Sequence, residues 1–178
     1  AGNAAGSNLD GFLYIAMNSV YTAALTFVGQ NVGAGKYARI KKISFLCVGL
    51  VTFIGVSLGV VLVVFGEKLL LIFATGENKD AVVKAGMNRL LVMGTTYFLC
   101  GLMDVGCGIM RGMGKTILPM IVSLVGSCLF RIVWIATVCP LFPGNILALY
   151  ISYPISWFIT AAVHYGCCIH NYRALMRR

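Results

Sequence analysis

Charge is what this sequence has least of. Among 178 residues only five are acidic, and charged side chains make up 11% of the chain, where a soluble domain carries about 25%. So little polar surface cannot cover a water-soluble globule. Alternation is missing too: the apolar runs are continuous and do not switch residue by residue, which excludes the strands of an outer-membrane barrel. There is no C-x-x-C among the seven cysteines, Cys47, Cys100, Cys107, Cys128, Cys139, Cys167 and Cys168. Almost all lie inside apolar runs, where cysteine behaves as a small hydrophobe, so neither a disulfide framework nor a metal cluster is indicated. No Ser/His/Asp or Cys/His arrangement stands out, and His164 and His170 have no partner cluster around which a metal would assemble. The expectation is a protein that is not an enzyme, has no cofactor and binds no metal. The chain opens on Ala1 and shows no signal-peptide pattern, which suggests a piece of a longer polypeptide.

What remains is grease. Hydrophobic residues reach 60% and the mean hydropathy is +0.91. The runs 9–30, 43–65, 90–110, 116–141 and 145–169 are each long enough, at about 1.5 Å per residue, to cross a hydrocarbon core of about 30 Å. The fold class is therefore an all-α polytopic membrane protein with five spans, whose first partner is the lipid bilayer. The net charge of +9 does not imply nucleic acid, because the cations sit in short loops between apolar runs and form no basic face. Lys36, Arg39, Lys41 and Lys42 occupy the first loop, Arg111 and Lys115 the third, and Arg173, Arg177 and Arg178 the tail. Those segments should face the cytoplasm, which places the N-terminal end outside. The second loop mixes Glu67, Lys68, Glu77, Lys79, Asp80 and Lys84. Its apolar stretch 69–73 is too short to span and should lie along the outer interface before the helix resumes near Ala81.

Two glycine-rich turns imitate a phosphate loop. Gly108 to Thr116 ends in Gly-Lys-Thr, but five residues separate its glycines where the motif needs four, and it follows a membrane span instead of a strand. The stretch from Gly29 to Lys36 fails in the same way. Their glycines should terminate helices and permit tight turns. Gly55-x-x-x-Gly59 reads as a close helix contact, with a hinge as the sharper alternative. Trp134, Trp157 and several tyrosines read as interface anchors and packing residues.

Four polar residues within the spans are candidates for function, together with Tyr21. Asp104 lies seven residues before Arg111, roughly 10 Å inside the inner boundary. An ionised carboxylate there must face a bundle or a wet cavity, or be protonated. It is either an ion, proton or substrate site or a structural hydrogen-bonding group. Arg131 lies about 22 Å from the inner side on a straight helix, too far for an easy pair with Asp104, and either snorkels outward or faces a cavity. Asp10 reads as an acid at a helix N-terminus in wet surroundings. Asn18 and Tyr21 share a helical face at mid-span, as interhelical glue or as cavity lining.

Two stretches carry a family resemblance. One is the run Ala23 to Lys36, with Gly29, Gln30, Asn31, Gly33 and Gly35. The other is Gly108 to Thr116, with Arg111, Gly112 and Gly114. Together with Pro119 and Tyr153-Pro154-x-Ser156-Trp157, they resemble the multidrug and toxic compound extrusion (MATE) transporters over nearly the whole chain. The resemblance implies a twelve-helix fold of two six-helix lobes, of which residues 1–178 would be helices eight to twelve, a partial C-terminal lobe. It implies a multi-pass protein of a bacterial plasma membrane that exports organic cations or other amphipathic compounds, driven by Na⁺ or H⁺. The missing N-terminal lobe and a small-molecule substrate would be its partners. Some members place an essential carboxylate on the tenth helix, the span holding Asp104. The family's acid falls nearer Cys100, so the chain departs from the pattern by one turn. Two other readings stand beside this one: a flippase for lipid-linked anionic precursors, which should show several cavity-facing Arg and Lys, and a membrane fragment without transport activity.

Overall fold

A computed structural model describes residues 2–73, 79–142 and 144–177. All regular structure among them is helical. With no water in the hydrocarbon region, each span has to satisfy its backbone internally, and long helices follow. They are α1 (Gly2–Gly33), α2 (Ala38–Phe73), α3 (Lys79–Gly112), α4 (Ile117–Ser123), α5 (Phe130–Thr137) and α6 (Ile146–Met176). A π-helical turn, Leu124–Leu129, joins α4 to α5, and a 3₁₀ turn, Cys139–Leu141, follows α5. Taken together, α4, the π turn, α5 and the 3₁₀ turn form the fourth rod, Ile117–Leu141, so five helical rods are long and apolar enough to cross a membrane.

The packing register gives the direction of each rod. Met17 meets Gly101, Tyr21 meets Gly108 and Val28 meets Gly112, so α1 and α3 run parallel. Gly55 meets Phe98, Gly59 meets Gly94 and Gly66 meets Met87, so α2 runs against α3. Tyr97 touches Trp157 and Met103 touches His164, so α6 runs with α3. The fourth rod opposes α6, since Ser123 meets His164 and Trp134 Nε1 donates to the Ala148 carbonyl at 2.9 Å. Successive rods therefore alternate in direction, and the basic loops gather at one end of the bundle. α3 is the hub, with α1, α2 and α6 all packed along it.

Close approach on α2 depends on missing side chains. A methyl added at Gly59 would fall on the Gly94 carbonyl oxygen, and one at Gly55 would lie 2.8 Å from the Phe98 Cα. The Gly55–Gly59 pair thus serves helix contact, as small residues do in membranes. Large apolar side chains such as Phe45, Phe53, Val64, Ile132 and Phe158 remain exposed. An apolar surface of this extent fits lipid and not water.

Three expectations change. α2 does not stop at Phe65: it continues through Gly66, Glu67 and Lys68, so the stretch 69–73 extends the helix and is not a separate interfacial segment. Packing explains this, because Gly66 nestles against Leu90 and Met87 and Leu70 is fully buried. α1 begins at Gly2, so Asp10 stands two turns inside a helix and not at its N-terminus. The fourth rod is not a plain α-helix. The Phe130 N–H reaches back to the Val125 carbonyl, a wide turn that accommodates one extra residue and re-aims the side chains beyond it. Apart from Pro119, no residue of that rod is buried.

α6 carries Pro154 within the helix. Ser152, Ser156 and Thr160 turn their hydroxyls back onto the carbonyls of Leu149, Tyr153 and Ser156. Such back-bonding satisfies polar atoms that lipid would leave bare.

Candidate functional site

The two glycine turns share one design. Past the end of α1, Lys36 N–H bonds to the Asn31 carbonyl at 2.9 Å and Gly35 N–H to the Val32 carbonyl at 3.1 Å. Past the end of α3, Lys115 N–H bonds to the Met110 carbonyl at 3.0 Å and Gly114 N–H to the Arg111 carbonyl at 2.9 Å. Both are Schellman closures, which need a left-handed residue, and Gly35 and Gly114 supply it with φ of 69° and 79°. The turns also dock: a methyl at Gly29 would lie 3.8 Å from the Gly112 carbonyl oxygen, and one at Gly112 would lie 2.9 Å from the Leu25 carbonyl oxygen. Gln30 is exposed and Gly33 closes α1. Asn31 spends its amide on the Phe27 carbonyl at 2.8 Å. Arg111 extends from the second turn to α1, where its Nη1 donates to the Tyr21 hydroxyl at 2.8 Å. Tyr21 and Arg111, proposed separately from sequence, therefore form one contact.

Toward the opposite end a cleft of about 230 Å³ opens between α1, α3 and α6. Asp10, Tyr14, Arg89, Tyr97, Tyr153 and Trp157 line it. Arg89 Nε and Nη2 both donate to Asp10 Oδ2, at 2.9 and 2.8 Å. The pair is largely sequestered, with side chains 14% and 7% exposed. Asp10 Oδ1 is buried and has no partner among the described residues. This overturns the wet-terminus reading of Asp10: the acid is held inside the bundle by a cation that sequence reasoning passed over. Helical spacing is the signal that was available, since Arg89, Tyr97, Cys100, Asp104 and Arg111 recur along one side of α3.

Arg131 approaches the same aromatic group from the fourth rod. Its guanidinium carbon lies 4.1 Å from the Tyr153 ring centroid and 5.7 Å from that of Trp157, within cation–π range. Its Nε donates to Ser156 at 3.1 Å. Trp157 packs edge-on against Tyr97 at 5.4 Å and Tyr153 at 5.8 Å, so these aromatics are a bundle cluster more than interface anchors. Asp104 is half-buried one turn beyond Cys100. Among the described residues it makes no ion pair with Arg131 or any other cation. Asn18 is exposed one turn after Tyr14, and its backbone carbonyl accepts from the Thr22 hydroxyl at 3.0 Å. His164, unassigned from sequence beyond the absence of a cluster, is fully buried. Its Nδ1 lies 3.0 Å from the Met103 carbonyl, and its Nε2 lies 3.4 Å from both Ser123 Oγ and the Pro119 carbonyl. Carbonyls face both ring nitrogens, and from α6 the ring ties α3 to α4. Among the described residues no group of His, Cys, Asp or Glu is assembled to hold a metal ion.

The family model for MatE matches residues 1–137. The chain belongs to the MatE family. No curated protein matches it, but solved MatE structures superpose closely. A MATE in complex with MaL6 matches with a TM-score of 0.89 at 11% identity, over 99% of this chain and 39% of that one. The MATE transporter ClbM in complex with Rb⁺ matches with a TM-score of 0.83 at 19% identity, over 98% of this chain and 41% of that one. A MOP superfamily transporter from Pyrococcus furiosus, described as having a binding pocket of reversed polarity, matches with a TM-score of 0.90 at 11% identity, over 99% and 39%. This multi-pass MatE chain thus spans about two-fifths of the length of the transporters it superposes on, as a single lobe would.

Proposed function

We propose that this chain forms most of the C-terminal lobe of a secondary active exporter, which moves organic cations or other amphipathic compounds in exchange for Na⁺ or H⁺. The observation carrying the proposal is Asp104. Asp10 is neutralised by Arg89, whereas Asp104 is a half-buried carboxylate in a span with no ion-pair partner among the described residues. An intramembrane acid costs several kcal/mol and marks a pathway by default. Tyr14, Asn18 and Tyr21 leave a polar stripe on α1, and such a stripe is stable only against a second lobe or a wet cavity. In this scheme Asp104 binds the coupling ion or a cationic substrate. Protonation, or Na⁺ at the carboxylate, cancels the attraction and releases the substrate as the lobes alternate access. Asp10, Asn18, Tyr21 and Arg131 line the route, and the docked glycine turns hold the inner ends of α1 and α3. No cofactor is required.

The test is efflux by the full-length parent in proteoliposomes, with Na⁺ and pH gradients imposed separately. One gradient should drive accumulation of a fluorescent organic cation and its collapse should stop it. Transport indifferent to both gradients would refute coupling.

The excess of Lys and Arg in its loops supports placing the basic end in the cytoplasm and the N-terminal end of the chain outside, in the bacterial plasma membrane that the family resemblance implies. A membrane-impermeant amine reagent applied to intact cells should leave the Lys36–Lys42 turn unmodified in peptide maps and label it after permeabilisation. Labelling before permeabilisation would reverse the orientation.

A second reading has an observation of its own. Arg89 and Arg131 both reach the aromatic cleft, one cation more than the sequence offered. A flippase for lipid-linked anionic precursors would use such cations, and competition of that substrate class with the fluorescent cation in the same vesicles separates the two readings.

A further inference from the structure

At the basic end α2 and α6 both lean on α3 but splay from each other, leaving a groove of about 940 Å³. Its floor is Leu102 and Ile109 of α3 with Met113 of the turn that follows, and its walls are largely apolar, including Val48 of α2 and Ile169 of α6. Its rim is cationic: Lys41 and Lys42 from the start of α2 and Arg173 from the end of α6. Among the described residues no acidic side chain lines it. Leu102 and Ile109 lie on the side of α3 opposite Asp104, because residues two and five positions away fall near the far face at about 100° per residue. The groove therefore looks away from the polar stripe that a second lobe would cover.

We infer that this groove is a binding site for an anionic diacyl phospholipid, with the phosphate held by Lys41, Lys42 and Arg173 and one acyl chain lying along Leu102, Ile109 and Val48. Charge complementarity chooses this occupant. A zwitterionic lipid offers the three cations no net charge. A packed protein helix would have to bury them with no acid in the groove to answer. Basic pockets between membrane helices hold anionic headgroups for this reason. Two tyrosines, Tyr165 and Tyr172, line the groove, and Tyr165 donates its hydroxyl to the Leu102 carbonyl at 2.9 Å, so that phenol is already satisfied within the bundle.

Native mass spectrometry of the detergent-solubilised full-length parent tests this, with phosphatidylglycerol and phosphatidylcholine added in turn. The wild type should retain phosphatidylglycerol adducts preferentially. The variant K41Q/K42Q/R173Q should bind phosphatidylglycerol on the order of ten- to a hundred-fold more weakly, reaching the phosphatidylcholine level, since each surface cation contributes roughly a factor of five. R39Q removes a cation of the same loop that does not line the groove, and should keep the preference. Equal retention by the triple variant, or equal loss in R39Q, overturns the site. A photo-reactive residue at Val48 gives a second readout that does not depend on the charge variants. A lipid adduct supports the proposal, and a cross-link to another segment of the polypeptide refutes it by showing that protein fills the groove.

Discussion

Replacing Asp104 with asparagine in the full-length parent abolishes gradient-driven efflux while membrane level and folding stay intact. Asparagine keeps the size of the side chain and its capacity to accept hydrogen bonds and loses only the charge. If Asp104 merely bonded a neighbouring helix, the amide would serve nearly as well, and transport would stay within a few-fold of wild type. If the carboxylate carries the coupling ion, the loss is total on the scale of the assay, at least about a hundred-fold, because a neutral amide neither binds a proton reversibly nor attracts a cation. Stability should not fall, since removing a membrane charge that costs about 2.5–3.5 kcal/mol leaves no unpaired partner behind: Arg111 is already engaged with Tyr21. Asp104→Glu keeps the charge and should retain part of the activity. Drug resistance at the wild-type level in cells carrying Asp104→Asn, with normal protein amount, would assign the acid a structural role and remove the basis for the proposed mechanism.

The readability of this chain divides along physical lines. The spans were legible because lipid imposes a demand that local sequence must meet alone: each rod needs about twenty apolar residues whatever it packs against. The glycine turns were legible for a similar reason, since a Schellman closure is made within a few residues around Gly35 or Gly114. Features that depend on a distant neighbour were not. Glycine and two charges at Gly66–Lys68 resemble a helix end, and only the fit of Gly66 onto Met87 and Leu90 shows why the helix continues. The Leu124–Leu129 turn is as apolar as its flanks, and nothing in those letters distinguishes a π turn from an α turn. The cleft was half legible. Asp104 and Arg131 announced themselves as charges in grease, while Asp10 passed for an acid at a wet helix end. Arg89 did not, because it sits at the lip of its span beside the charges of the second loop, and its partner is 79 positions away. Tyr97, Tyr153 and Trp157 looked like interface residues until the fold brought them together.

The Asp10–Arg89 pair supports the second large effect. Asp10→Asn leaves the Arg89 guanidinium buried opposite a neutral amide, and Arg89→Met leaves the Asp10 carboxylate with neither of its oxygens answered. Each single change should cost about 3 kcal/mol, the lower end for breaking a buried pair, since 14% of the Arg89 side chain still meets solvent. The double variant Asp10→Asn/Arg89→Met removes both charges and should recover most of that loss, because an apolar or neutral replacement of a buried pair is often close to neutral. Thermal melts of the detergent-solubilised parent, arranged as a double-mutant cycle, read this directly. A coupling energy near zero would mean that the two side chains stand apart in solution. Strong coupling in stability with undiminished efflux by the double variant would make the pair a strut. Strong coupling with efflux still lost would place Asp10 on the transport route, where its unanswered oxygen Oδ1 is the atom available to a passing cation.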